Sequence, residues 1–458
     1  MSLRFFRQTI ARYPTETMLF SIAIIVRFCL MILFLRHFGS DFYTAGNSDS
    51  FGYLDIGKSI AEGHGFQMNG VTSAMRTPLY PLFLSVFYLL HIPLWVIPIV
   101  QHGIAGISAV LLYRIGKLFF GMRAGKIAGF LLAVEPYGVL LGNTVMTETL
   151  FLFFLLLSLY FFGQWMLLGK LRVSPALSGF FLGAATLVRP LTLYLPMVFL
   201  VFLFWRFRRE WRQHIRRALV FGTVFAAVLA PWSVRQHRLF GSYELTNLDT
   251  YLLYFRVAPI AEAQARGIDY ASAVRVLAEN IHRMIPNFSE AALEHTFSYT
   301  SVLSQESRRI LAQHPAAVVQ YFFASIPSGL FASGYDEFLE IFGYERHAPD
   351  QHITGLFRDG RYGEALAALF GRDAFHAVFL IGALLWAAAY AGIILGFFVS
   401  WNTRPEGRLG MIFFLTLAAF FIFFSIGPLV FVRYRVLSYP ELFLLIGCSF
   451  DLVLKKRV

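Results

Sequence analysis

The sequence predicts an all-α polytopic membrane protein, and two features of its composition support that prediction. Of its 458 residues 57% are hydrophobic, with 51 phenylalanines among them, and only 14% are charged. Soluble proteins carry about 25% charged residues, so the composition excludes an ordinary cytosolic enzyme and a disordered chain. The apolar runs are long and unbroken, whereas the strands of a membrane barrel would be short and alternating. Helices are therefore expected to span the bilayer.

Ten segments come close to the roughly 20 apolar residues that a spanning helix needs. They are Thr17–Leu35, Leu94–Leu118, Gly125–Leu141, Leu150–Leu168, Pro175–Val188, Leu191–Phe207, Ala218–Ala230, Phe375–Val399, Leu409–Ile426 and Val436–Leu454. Two other stretches, Leu79–His91 and Ala316–Ala332, are short or interrupted by polar residues, which indicates interfacial or re-entrant helices. The two cysteines, Cys29 and Cys448, are too few for a disulfide framework or a four-ligand zinc site.

The distribution of basic residues predicts the orientation, because short cytoplasmic loops are rich in Lys and Arg. With the N-terminus inside, 20 of the 39 Lys and Arg residues fall in short inner loops. Both termini are then cytoplasmic, and the chemistry is expected in the two long outer segments. This divides the chain into a transmembrane core (1–231, with the outer loop 36–93), an extracytoplasmic segment (232–374) and C-terminal transmembrane helices (375–458).

The net charge of +12 is interpreted as a signal of membrane topology and not of nucleic-acid binding. No basic run interleaved with aromatic residues lies in a soluble segment, so we expect the lipid bilayer as a partner and no nucleic acid. The sequence also contains no P-loop, dinucleotide fingerprint or kinase motif.

The first outer loop presents an acid and a cation near the membrane surface. Ser48 or Asp49 can cap a short helix that ends at Gly63, and the helix over Leu79–His91 is too short to cross. Asp49 and Arg76 are therefore displayed near the membrane surface by two interfacial helices. A helix cap for Asp49 and a snorkelling anchor for Arg76 are the alternative interpretations.

Five motifs, taken in order, resemble those of the polyprenyl-phosphate-dependent glycosyltransferases of the GT-C fold, closest to the protein O-mannosyltransferase and aminoarabinose transferase-like group. The first combines Asp49, Tyr53 and the Gly63-His64-Gly65 turn with Arg76-Thr77-Pro78-Leu79, where many members have Lys and a second proline. The others are Thr147-Glu148-Thr149, Leu187-Val188-Arg189-Pro190, Ala230-Pro231-Trp232-Ser233-Val234-Arg235 and Arg433-Tyr434-Arg435. The resemblance covers most of 17–235 and 409–454 and is loose over 240–374.

The resemblance implies a membrane glycosyltransferase, hexosyl or pentosyl, that uses a polyprenyl-phosphate sugar donor such as an undecaprenyl-phosphate sugar. The acceptor would be a lipid, a glycan or a protein of the cell envelope. The location implied is the bacterial cytoplasmic (inner) membrane, with the active site facing the periplasm or exterior.

Such a reaction needs cations for the leaving phosphate, and arginine binds phosphate through a planar fork. The residues expected to bind substrate are Tyr53, Arg76, Tyr80, Arg189, Arg433, Tyr434 and Arg435. Anchoring to lipid headgroups is the alternative role for the three arginines at 189, 433 and 435.

The acceptor hydroxyl needs a base, and Asp49 is the first candidate for this catalytic role. Glu148 is the second catalytic acid. It would share the base role, orient the acceptor, or join Asp49 in binding a divalent cation, the one cofactor that the sequence leaves open. Pairing with the helix dipole is the alternative role for Glu148.

Two other functions compete with sugar transfer. A transporter or flippase for a lipid-linked or polar solute often shows inverted repeats and broken helices, and neither is evident in this sequence. A non-catalytic membrane scaffold would leave the outer acids and arginines without a chemical role.

Overall fold

The computed structural model describes residues 12–45, 49–168, 173–286, 288–289, 293, 295–344, 361, 363–364, 374–403, 405–426 and 432–455. The first ten helices are α1 (Pro14–Phe38), α2 (Asp49–Ala61), α3 (Leu79–Leu89), α4 (Val96–Phe119), α5 (Met122–Val134), α6 (Pro136–Gly142), α7 (Glu148–Gly163), α8 (Ser174–Val188), α9 (Leu195–Arg206) and α10 (Trp211–Phe240). The remaining ones are α11 (Leu248–Leu252), α12 (Ala258–Arg266), α13 (Tyr270–Met284), α14 (Thr300–Gln313), α15 (Pro315–Phe331), α16 (Glu337–Ile341), α17 (Ala374–Thr403), α18 (Pro405–Ile426), α19 (Val432–Arg435) and α20 (Tyr439–Lys455).

The predicted all-α membrane fold is confirmed. Within the described residues, five helical stretches are long and apolar enough to cross a bilayer, and a bent pair, α5 with α6, makes a sixth. The five are Pro14–Thr44, Val96–Phe119, Glu148–Leu168, Trp211–Phe240 and Ala374–Val399. Shorter apolar helices coincide with three of the other four predicted spans, and α20 lies over the fourth, so the number ten stays a prediction. α10 continues beyond residue 231, so the first predicted domain boundary falls inside a helix.

The third predicted span is broken near its C-terminal end. α5 and α6 meet at an angle of 53°. Pro136 causes the break, since proline disfavours helical backbone in the residue before it, and Glu135 has φ −58° and ψ 121°. The Glu135 carboxylate then caps α6 by accepting a hydrogen bond from the Gly138 N–H at 2.6 Å. The break turns the chain toward the loop that precedes Glu148.

Aromatic packing joins helices that are distant in sequence. The ring centroid of Phe162 on α7 lies 4.4 Å from that of Phe199 on α9 and 5.3 Å from that of Phe413 on α18. Such pairs bury large apolar areas and fix the relative positions of the helices. Some of the many phenylalanines therefore pack between helices inside the bundle.

The first outer loop contains the two short helices expected from the sequence. α2 packs closely on α3 at Gly57. A Cβ at this position would lie only 3.0 Å from the Leu84 Cβ, so the close approach requires glycine. α2 begins at Asp49, so the carboxylate sits at the positive end of the helix.

A β-hairpin, which we did not predict, follows α2. Its strands β1 (Gln67–Met68) and β2 (Val71–Thr72) are antiparallel. The turn residues Asn69 and Gly70 have φ values of 52° and 76°. Asn-Gly is the preferred pair for such a turn, so the signal was present in the sequence. The hairpin returns the chain toward Arg76.

The predicted extracytoplasmic segment (232–374), which we call the outer segment, has a hydrophobic core of its own. The core is formed mainly by α12, α13 and α14 and the turn before them. Its buried members include Tyr254, Leu277, Ile281 and Leu303. Met75, from the first outer loop, is buried in the same core. The residue next to Arg76 is thus fixed by the outer segment.

Candidate active site

Asp49 joins two arginines from distant parts of the chain. Its Oδ1 accepts a hydrogen bond from Arg76 Nη2 at 2.8 Å, and its Oδ2 accepts one from Arg433 Nη2 at 2.7 Å. Burial by itself would raise the pKa of Asp49, but the charges of Arg76 and Arg433 hold it well below its usual range. Asp49 is therefore ionised, and both of its oxygens are engaged.

Glu148 forms the second ion pair of the site. Its side chain is 2% exposed, and its Oε1 accepts a hydrogen bond from Arg189 Nη1 at 2.6 Å. Arg189 also donates to Thr147 Oγ1 at 3.0 Å. Arg433 Nε lies 3.9 Å from the same Glu148 oxygen, so Arg433 is placed between the two acids.

Two tyrosine rings flank the guanidinium groups. The Arg76 guanidinium lies 4.8 Å from the Tyr53 ring centroid and donates to the Tyr53 hydroxyl at 3.3 Å. The Tyr434 ring lies 5.1 Å from the Arg189 guanidinium and 5.4 Å from that of Arg433. The ring faces attract the cations and restrict their orientation.

Local sequence explains why Arg189 and Glu148 reach this place. Arg189 follows the last residue of α8 and precedes Pro190, which favours extended backbone before it, as the φ of −144° and ψ of 121° show. Glu148 is the first residue of α7, two residues before the predicted start of the fourth span.

Two predicted substrate-binding residues lie outside this cluster. Tyr80 is fully buried and donates to Gln101 Oε1 at 2.8 Å, behind the Tyr53 ring. Arg435 is 1% exposed and donates to the Leu330 carbonyl at 2.5 Å. Their assignment to the substrate site stays a prediction.

Arg435 also lies over an aromatic ring of α17. Its guanidinium carbon is 4.3 Å from the Trp386 ring centroid. The Leu330 carbonyl that accepts its hydrogen bond belongs to α15. Arg435, at the end of α19, therefore contacts both α15 and α17. This environment favours a structural role.

The cluster of charged residues therefore consists of three guanidiniums and two carboxylates, and it has a formal surplus of one positive charge. Its members are Asp49, Arg76, Glu148, Arg189 and Arg433. Partly buried guanidiniums with fixed orientation are suited to a phosphate group, whose charge they can meet at short range.

The same geometry is less suited to a divalent cation. Asp49 and Glu148 both face guanidiniums that a cation would have to displace. Among the described residues, no group of three or more His, Cys, Asp or Glu side chains could hold a metal ion. A metal bound by Asp49 and Glu148 stays a prediction from the sequence.

A set of hydrogen bonds fixes the segment before Arg76. Side chains from the end of α10 and from the segment after it donate to three consecutive carbonyls, and Arg235 is the one donor of the three that belongs to a motif named above. The pairs are Arg235 Nη1 to Ser73 at 3.5 Å, Gln236 Nε2 to Ala74 at 3.3 Å and Thr246 Oγ1 to Met75 at 2.5 Å. We call Arg235, Gln236 and Thr246 the carbonyl clamp.

The carbonyl clamp gives a testable prediction. Replacing Thr246 by valine removes a buried hydrogen bond and should lower stability by about 1–3 kcal/mol. The affinity for polyprenyl phosphate should fall as well, because Arg76 loses a fixed neighbour. Thermal unfolding and lipid binding of the purified protein are measured.

The matched control is Thr300→Val, since the buried Thr300 hydroxyl has no hydrogen-bond partner in the described structure. Equal stability of the two variants would contradict the prediction.

Comparison with known proteins supports the resemblance that the motifs indicated. Residues 75–234 match the family described as dolichyl-phosphate-mannose-protein mannosyltransferase. This range contains Arg76, Glu148 and Arg189, whereas Asp49 and Arg433 lie outside it. A search of curated protein sequences finds no match.

Solved structures of an archaeal oligosaccharyltransferase from Archaeoglobus fulgidus have a similar fold. The form tethered to an acceptor peptide has a TM-score of 0.54 at 13% identity, covering 98% of this chain and 50% of the other. The form complexed with an inhibitory peptide and a dolichol-phosphate has a TM-score of 0.53 at 13% identity, with coverages of 98% and 51%. The chain thus spans about half the length of these proteins.

A third structure is ArnT from Cupriavidus metallidurans bound to undecaprenyl phosphate, with a TM-score of 0.40 at 12% identity, covering 96% of this chain and 78% of the other. The apolar helices and the fold shared with the oligosaccharyltransferase structures show an integral-membrane protein with the GT-C fold, and residues 75–234 match the dolichyl-phosphate-mannose-protein mannosyltransferase family.

Proposed function

We propose that this protein transfers a sugar from a polyprenyl-phosphate donor to an acceptor on the extracytoplasmic side of the membrane. The observation that carries the proposal is the cluster of three guanidiniums around two carboxylates, with one surplus positive charge. The family match over 75–234 and a dolichol-phosphate complex of a protein with this fold support a lipid-linked phosphate. The donor sugar is hexosyl or pentosyl. A hexosyl donor is the first to test, since the family description names mannose.

The chemistry follows from the charges. The bond between the sugar anomeric carbon and the phosphate oxygen breaks, and the phosphate leaves with the electron pair. Arg76, Arg189 and Arg433 are placed to meet its charge. Asp49 and Glu148 hold the guanidiniums in position before the phosphate arrives, so little reorganisation is needed.

The acceptor hydroxyl must also lose a proton. Asp49 is the candidate from the sequence, and it takes this proton only if one of its oxygens is released from a guanidinium. The donor phosphate, which competes for the same guanidiniums, provides a route to that release. The acceptor is proposed to be a lipid, glycan or protein of the cell envelope.

A transfer assay tests the function. The purified protein in lipid nanodiscs is incubated with radiolabelled polyprenyl-phosphate mannose, glucose or aminoarabinose and an extract of envelope lipids, glycans and proteins. Mass spectrometry identifies the labelled product. The control is a preparation carrying Arg433→Ala. Labelled product from the wild type supports the proposal, and labelled donor that crosses liposomes chemically unchanged favours the transporter instead.

We propose a bacterial inner-membrane location, with the charged cluster facing the periplasm or exterior. Labelling of single cysteines in intact cells tests this orientation in a background in which Cys29 and Cys448 are replaced. A membrane-impermeant maleimide should label Ser301→Cys and leave Arg208→Cys unlabelled until the cells are opened. Both positions are exposed in the structure. The reverse pattern would overturn the orientation.

A further inference from the structure

Glu337, in the outer segment, is a third carboxylate that lies within electrostatic range of Arg433. It is the first residue of α16, and its Oε2 accepts a hydrogen bond from the Tyr137 hydroxyl at 2.8 Å. Tyr137 is 2% exposed and belongs to α6, the short helix that leads toward Glu148. The contact joins residues 200 positions apart.

The position of α16 is fixed by packing against the first span. The ring of Phe342, just after α16, lies 5.6 Å from that of Phe34 and 5.3 Å from that of His37. Glu337 is thus anchored by α1 on one side and by α6 on the other. Glu337 is also partly exposed.

The electrostatic surroundings of Glu337 differ from those of Asp49. Burial raises the pKa of Glu337 to about 7, and the charges of Asp336 and Glu340 add to the rise. The Tyr137 hydrogen bond and the Arg433 charge act in the opposite direction. Arg433 therefore acts on three carboxylates, and it forms a short ion pair with Asp49 alone.

A general base works best when its pKa is near the working pH and its oxygen is within reach of the hydroxyl. Asp49 fails the first condition, since two guanidiniums stabilise its charged form. The hydrogen bond to Glu337 comes from a neutral phenol, which leaves a carboxylate lone pair for a substrate proton.

We propose that Glu337 is the general base that accepts the proton of the acceptor hydroxyl, whereas Asp49 and Glu148 position the phosphate-binding arginines. The inference rests on the proposed function. The acceptor O–H bond breaks and its proton moves to a Glu337 oxygen. The acceptor oxygen then bonds to the anomeric carbon as the bond to phosphate breaks, and polyprenyl phosphate leaves as the anion.

The pH dependence of transfer tests this assignment. With the labelled donor and acceptor identified by the transfer assay, wild-type kcat/KM should rise with pH and level off above about 7, because the base must be deprotonated. Glu337→Gln should lower the plateau by about 10²–10⁴-fold and remove this rise. Its affinity for polyprenyl phosphate, measured separately, should stay within about twofold, as expected for a base that does not hold the donor.

Two further variants should shift the rise of kcat/KM with pH in opposite directions along the pH axis. Tyr137→Phe removes a hydrogen bond that stabilises the carboxylate, so the rise should move to higher pH. Glu340→Gln removes a neighbouring negative charge, so the rise should move to lower pH with the plateau unchanged. Both variants retain Glu337 and do not depend on whether Glu337→Gln folds.

The outcomes separate the two proposals. A wild-type protein that forms no labelled product overturns the proposed function, and the base assignment with it. If the wild type forms product and Glu337→Gln keeps both the rise of kcat/KM with pH and its plateau, only the base assignment is overturned. Loss of donor affinity in Glu337→Gln, with the rise preserved, also overturns it in favour of a donor-binding role.

Discussion

Asp49→Asn is expected to lower sugar transfer by about 10²–10⁴-fold while leaving a folded, extractable protein. The substitution leaves Arg76 and Arg433 without their shared anion, so both guanidiniums lose the orientation in which they meet the leaving phosphate. Removing a base or a preorganised electrostatic contact from an active site costs about 10²–10⁴-fold in rate. Turnover is measured on wild type and variant at equal concentrations of folded protein.

The choice of asparagine separates the two interpretations of Asp49. Asparagine caps a helix about as well as aspartate, so a mere N-cap would tolerate the change with near-normal turnover. The matched control is Asp269→Asn, at the N-cap of α13, where the Asp269 carboxylate accepts a hydrogen bond from the Ser272 N–H. That variant should transfer sugar at the wild-type rate. Near-normal turnover in Asp49→Asn would return Asp49 to the role of a helix cap.

The same variant also bears on the identity of the base. If Asp49 positions arginines, the remaining activity of Asp49→Asn should still rise toward pH 7, because Glu337 is intact. If Asp49 is the base, as the sequence predicted, transfer by the wild type and by Glu337→Gln should already be level well below pH 7, because the pKa of Asp49 lies below its usual range.

Arg433→Ala is expected to weaken donor binding by about ten- to a hundredfold. Loss of one charge-assisted hydrogen bond costs about 1.5–3 kcal/mol, and each 1.4 kcal/mol is about a factor of ten in affinity. Arg433 contacts Asp49 and lies near Glu148. Its removal therefore also breaks the link between the Asp49–Arg76 ion pair and the Glu148–Arg189 ion pair. Binding of polyprenyl phosphate is measured in nanodiscs at equal folded concentration.

Arg435→Ala provides the matched comparison two residues away. Arg435 lies over Trp386 and donates to the Leu330 carbonyl, so its loss should lower the unfolding temperature while the folded fraction keeps its donor affinity. Arg435→Lys keeps the charge without the planar fork, so it should recover only part of the stability. Unchanged donor binding in Arg433→Ala would leave Arg433 as a headgroup anchor. A loss of donor affinity in Arg435→Ala would place Arg435 at the phosphate, as the sequence predicted.

The sequence by itself determined the class of the fold and most of the helices. Apolar runs specify membrane helices because backbone groups in lipid must be satisfied within each segment. Local chemistry also placed Glu148 at the start of α7 and Arg189 at the turn before Pro190, since these features depend on neighbours in the chain. The Asn69-Gly70 turn was equally local, and its signal was overlooked.

Pairing between distant residues was decided only by the tertiary structure. Asp49 and Arg433 are 384 positions apart, and Tyr137 and Glu337 are 200 apart. Arg433 and Arg435 lie in one short motif, yet one faces the acids and the other is buried against Trp386. The sequence shows that both are arginines near an outer boundary. Which of them meets an anion depends on how distant helices pack around each side chain, because the environment of a charge is set by its neighbours in space.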